Sequence, residues 1–143
     1  MQIVSPGNSL LRKVTKTITF TGAAGLGAQG AVPIFTVTGA VDVSAIMGFC
    51  TVTLVGVNST IALGVTGATT LFIGATSGPT LTATAGLWVS TTATATGIAL
   101  PATVKDIAVM TNIIGTVGTA DITAGVLTIT AYWLPISTDG SVV

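Results

Sequence analysis

The chain has 143 residues, enough for one domain with a buried core, and half of them are hydrophobic. Charge is scarce and balanced: four Lys and Arg stand against four Asp, 6% of the chain where a free-standing soluble domain carries about 25%, with no Glu and no His. That balance leaves no basic face for a phosphate backbone, and the missing His with a single Cys excludes a Ser-His-Asp triad, a Cys-His pair and ordinary zinc sites.

Residues 1–13 contain Pro6, Gly7, Asn8 and Ser9 and lack apolar periodicity, which predicts an extended N-terminal arm ahead of a single β-domain over 14–143. The first residues lack the basic stretch and apolar run of a secretory signal, so the expected site of synthesis is the cytoplasm, without export. From Val14 to Phe20 apolar and polar positions alternate with period two, the pattern of a half-buried strand. Thr21 to Ala31 then reads as a glycine-rich loop. Within it Gly25-Leu-Gly27-Ala-Gln-Gly30 matches a dinucleotide fingerprint, but that chemistry needs a helix to follow, and Ala31-Val32-Pro33 and a β-branched run follow instead.

Further strand-like runs are predicted at 34–38, 41–46, 49–55, 59–65, 69–73, 87–96, 112–117 and 125–133. Helix formers are nearly absent and threonine makes up about a fifth of the residues. Pro101 to Met110 is the one candidate helical turn, although strand or loop is the stronger expectation there. Short β-runs with Gly, Asn-Ser and Gly-Pro punctuation predict an all-β fold: a compact antiparallel β-sandwich or β-barrel-like domain, jelly-roll or related.

Between Asp42 and Lys105 the chain carries no charge. Ile46 to Ala75 is apolar enough to suggest a membrane helix, but Thr51, Thr53, Asn58, Ser59, Thr60, Thr66, Thr69 and Thr70 break it. An outer-membrane barrel would need aromatic girdles, and Phe20, Phe35, Phe49, Phe72, Trp88, Tyr132 and Trp133 are scattered. No membrane is therefore expected. Soluble β-proteins protect their edges with Lys, Pro, bulges or covering elements, and zero net charge favours association. The composition thus predicts a subunit whose surfaces are covered by copies of itself or by another protein. Threonine would keep such surfaces wettable while its branched carbon favours extended backbone.

The residues available for chemistry are few. Asp42, Asp106, Asp121 and Asp139 form no local pair, so no enzyme activity, cofactor or metal is expected. Cys50 lies in an apolar run and reads as a small buried hydrophobe. Asn58-Ser59-Thr60 is a sequon that serves most simply as a turn between strands. Arg12, Lys13 and Lys16 cluster near the N-terminus as a candidate anchor to an acidic neighbour. Trp88, Tyr132 and Trp133 are candidate interface residues, with ordinary core aromatics as the alternative for the Tyr132-Trp133 pair.

Thr21-Gly-Ala-Ala-Gly-Leu-Gly-Ala-Gln-Gly-Ala-Val-Pro-Ile-Phe-Thr-Val-Thr-Gly39 and Thr128-Ile-Thr-Ala-Tyr-Trp-Leu-Pro-Ile-Ser-Thr-Asp-Gly140 resemble segments of small virion structural proteins of tailed bacteriophages. The resemblance implies a capsid decoration, or cement, protein: a compact β-domain, a homo-oligomer and often a homotrimer, bound on the outer capsid surface of the virion to the major capsid protein. On that reading Arg12, Lys13 and Lys16 contact the capsid, and Trp88, Tyr132 and Trp133 lie in an oligomer or capsid interface. A tail-tube or connector subunit and a receptor-binding, fibre-type module are the alternatives within the same class.

Overall fold

The computed structural model describes residues 11–143, which form an almost purely β-structure. Its strands are β1 (Arg12–Thr19), β2 (Gly30–Phe35), β3 (Val37–Thr38), β4 (Val41–Val55), β5 (Thr60–Val65), β6 (Ala68–Ser77), β7 (Leu87–Trp88), β8 (Ile107–Val109), β9 (Ile113–Gly118), β10 (Ala124–Pro135) and β11 (Ser141–Val142). Two three-residue 3-10 turns, Gly78–Thr80 and Ala102–Val104, interrupt the connections.

Every pairing between these strands is antiparallel. One sheet runs β1-β10-β4, with the short β7 and β8 both on the far edge of β4; the other runs β2-β9-β5-β6, and β3 pairs with β11 apart from both. The wiring has a simple logic. β1 pairs with β10, β2 with β9, β4 with β7 and β8, and β5 with β6, as though one long hairpin with its tip between β5 and β6 had been rolled up. That is the double-sheet jelly roll.

Alternation builds the core. Leu127, Ile129, Ala131 and Trp133 of β10 and Ile113 and Val117 of β9 point inward and are buried; Ile18 of β1 and Phe72 and Ile73 of β6 are buried as well. These side chains belong to one cluster with Val41, Val43, Ile46, Cys50 and Trp88. Burying each large member stabilises the fold by roughly 1.5–3 kcal/mol.

The runs expected at 41–46 and 49–55 are one strand of 15 residues. It continues through Gly48 because a larger residue has no room there: a Cβ would stand 2.7 Å from Trp88 Cε3 and 3.3 Å from Ile129 Cδ1. Register shifts against β10 between Tyr132 and Trp133, and on both sides of Val126, accommodate the length as bulges.

The strand expected over 87–96 is a correction: only Leu87 and Trp88 pair with β4, and Thr94 returns to exchange two backbone hydrogen bonds with Leu87. The Thr-Ala alternation supplies no apolar face to bury. Its hydroxyls turn to local backbone instead, Ser90 Oγ donating to Thr92 O and the Thr96 amide to Thr94 Oγ1. Over 101–110 the chain makes the second 3-10 turn and then β8.

Of the arm expected over 1–13, residues 1–10 lie outside the described residues, and Arg12 and Lys13 already belong to β1. In the glycine-rich loop β2 begins directly at Gly30, so no helix opens there. Gly27 has φ +119° and lies so close to the Ile122 carbonyl that no side chain could stand between them, while its own carbonyl accepts from the Ile122 amide at 2.7 Å. The loop is thereby packed onto the segment before β10.

Candidate functional site

The outward face of the β1-β10-β4 sheet follows from register. Lys13, Thr15, Thr17 and Thr19 stand opposite Tyr132, Thr130, Thr128 and Val126, and beyond them Ala45, Met47 and Phe49 stand opposite Tyr132, Thr130 and Thr128. Leu87 of β7 continues the row beside Phe49. Its charges stand at one end: Lys13 opposite Tyr132, and Asp42 opposite Leu134, two residues beyond Tyr132 on the same face of β10.

Two hydroxyl pairs cross it. Thr17 Oγ1 and Thr128 Oγ1 are 3.0 Å apart, and Thr15 Oγ1 and Thr130 Oγ1 are 3.4 Å apart. Each pair saturates part of its hydrogen-bonding capacity within the sheet and presents methyl groups beside it. Phe49 is 53% exposed although it sits on a strand with neighbours on both sides. Val52, opposite Val126, is also exposed. A half-exposed phenylalanine among threonines and aliphatics makes a face that is weakly hydrated and free of charge over most of its extent.

The three cations do not form one patch. Arg12 lies on the inward side of β1 opposite Trp133, its guanidinium 5.2 Å from that ring's centroid, a cation–π contact at the end of the sheet. Lys13 points to the opposite side, beside Tyr132. Lys16 shares the parity of Arg12 but stands about 13 Å along the strand, at the open seam between the two sheets.

The aromatic candidates also divide. Trp88 is fully buried and its indole N–H donates to Thr76 Oγ1 at 3.0 Å, so it is a core residue with no area to offer a partner. Trp133 is 5% exposed and packs in the same core. Tyr132 alone of the three lies on the outward face, half-buried.

Phe49 and Met47 went unrecognised in the sequence as surface residues. A signal was present: in Met47-Gly48-Phe49-Cys50 the large side chains occupy one parity and the small ones the other. The small parity faces inward because Trp88 fills the interior there.

Nothing in the described residues gathers three or more of His, Cys, Asp or Glu. Asp121 accepts from the Gln29 amide at 3.0 Å and Asp139 from the Ser137 hydroxyl at 2.6 Å, both holding loops. Ser59 of the sequon is buried, its hydroxyl donating to Gly56 O at 2.7 Å, and Asn58 takes φ +62° in the same turn. Cys50 is buried with its thiol directed at the Val52 and Leu81 carbonyls, and loss of solvent raises its pKa above the usual thiol range. No helix among the described residues is long and apolar enough to cross a membrane.

Comparison with protein-family models, with curated proteins and with solved structures finds no match for the chain.

Proposed function

We propose that the chain is a non-enzymatic structural subunit of a virion, a capsid decoration protein that lays its charge-poor, threonine-rich sheet face on neighbouring proteins of the outer lattice. The observation that carries this reading is the half-exposed Phe49 set among Thr15, Thr17, Thr128, Thr130 and Met47 on a face whose charges, Lys13 and Asp42, stand together at one end. Contacts of that kind are little screened by salt, which suits a particle that persists in varied media. The jelly-roll wiring is shared by viral capsid domains, an analogy of fold alone, since lectins and cupins use it too.

Size argues for several copies acting together. Seven residues on each of three strands cover roughly 20 by 14 Å, or about 300 Å². A stable interface takes ~800 Å² per partner. One such face holds weakly, whereas a homotrimer presenting three faces to the major capsid protein gains the effective concentration of a tethered ligand.

The test is electron cryomicroscopy of virions from the virus that encodes the chain, before and after a wash in ~1 M salt. The expected result is density for the β-domain on the outer shell, retained through the wash. Density in the tail tube or the fibre tips would replace this reading with a tail subunit or a receptor-binding module, and absence from the particle would end it.

A further inference from the structure

β1 and β2 are the outer strands of their two sheets on the same side of the sandwich. They run antiparallel across the gap without hydrogen-bonding to each other: Val14–Lys16 face Pro33–Thr36, and Lys16–Thr19 face Val32 and Pro33. Two cavities of about 450 and 560 Å³ fill the gap end to end, and Lys16 and Pro33 line both. The seam is therefore one groove with Lys16 at its middle.

Its chemistry is lopsided. Val14, Lys16 and Ile18 project from β1 on the groove side, with Ile34, Phe35 and Ile113 closing the floor at one end and Leu26 and Val32 at the other. No Asp or Glu side chain lines either cavity; Val143, the last residue, and the polar Thr15, Thr36, Thr66 and Asn112 line the first beside its aliphatics, so Lys16 stands in a mixed trough with no acidic side chain beside it. Pro33 has no N–H to donate, which leaves β1 as the edge able to extend its ladder.

We infer that this seam is a docking groove for an extended segment of another protein that adds as a strand to β1 and places an acidic side chain on Lys16. Residues two positions either side of that acid are aliphatic, because side chains two apart along a strand share a face and would meet Val14 and Ile18. The groove uses a surface different from the sheet face around Phe49, so the inference does not depend on the virion reading.

The test is a titration of the ¹⁵N-labelled full chain with the acetylated, amidated peptide Ser-Val-Thr-Asp-Thr-Val-Ser and with its Asp-to-Asn and Asp-to-Lys counterparts. The proposal expects amide shifts confined to 14–19 and 32–36, with the Asp peptide bound about threefold tighter than the Asn peptide in low salt. That preference should vanish in Lys16→Met and turn toward the Lys peptide in Lys16→Glu; Lys16 is exposed, so neither variant threatens the fold. Four results would overturn it: no shift at millimolar peptide, shifts centred on Met47 and Phe49, an Asp preference unchanged in Lys16→Met, or contacts in the free chain between residues 1–10 and Val14–Ile18, which would make the chain's own N-terminal segment the occupant.

Discussion

The indole N–H of Trp88 reaches across the interior of the sandwich to the Thr76 hydroxyl, 3.0 Å away, joining the sheet that holds β4 to the sheet that holds β6. Both residues are buried, and the Thr76 hydroxyl in turn donates to Gly74 O at 3.0 Å. Replacing Thr76 by Val keeps the shape and strands a buried indole donor, which should destabilise the fold by about 1–3 kcal/mol. Chemical denaturation followed by tryptophan fluorescence measures this, and a loss below about 0.5 kcal/mol would show that the bond contributes little.

Gly48→Ala places a methyl group against the same indole. Crowding of this kind in a filled core should destabilise by about 1–3 kcal/mol and shift the emission of the buried tryptophan. An unchanged spectrum with unchanged stability would mean that Trp88 has room to move.

Phe49→Lys puts a charge into the part of the face that has none. Since Phe49 is half exposed, the isolated chain should keep its stability within about 1 kcal/mol, while assembly or particle binding falls at least tenfold. Val57→Lys is the matched control: Val57 is 81% exposed in the turn between β4 and β5, eight residues along the chain from Phe49, and its substitution should leave assembly intact. Sedimentation of the two variants with particles decides the matter, and equal losses would remove the face from the mechanism.

Cys50 gives a pH dependence whose sign follows from burial. Its folded pKa is raised, so the unfolded chain releases the thiol proton first as pH climbs. The stability contributed by the neutral thiol is complete below the unfolded pKa, near 8.5, and is lost as pH rises through the folded value. Denaturation midpoints for the parent chain should therefore fall above that pH more steeply than those of Cys50→Ala. Parallel curves would indicate that the thiol ionises alike in both states.

Much of the architecture was legible because alternation is a direct consequence of having one wet face. Val14 to Phe20 alternates in sequence and forms β1, and the β-runs read at Asn112 to Val117 and Gly125 to Trp133 form β9 and β10. The break expected at Gly48 did not occur, because that glycine makes space for an indole 40 residues further along, a relation no local pattern contains. Thr91 to Thr96 alternates as cleanly as any strand, but neither parity is apolar, so no burial holds it in a sheet. The charge-poor face was legible only as missing charge. Which residues compose it depended on the pairing of β1, β10 and β4, and the same pairing put Arg12 and Lys16 on one side of β1, four residues apart, and Lys13 on the other.

The union of the first long strand with the last has a kinetic consequence. Thr17 and Thr128 meet although 111 positions separate them, and the whole rolled hairpin must close before β1 gains a neighbour. Loop-closure entropy is spent early and rewarded late, so folding should take on the order of milliseconds to seconds. During that interval the uncharged β-prone middle of the chain is open to other copies, and refolding yield should fall with protein concentration.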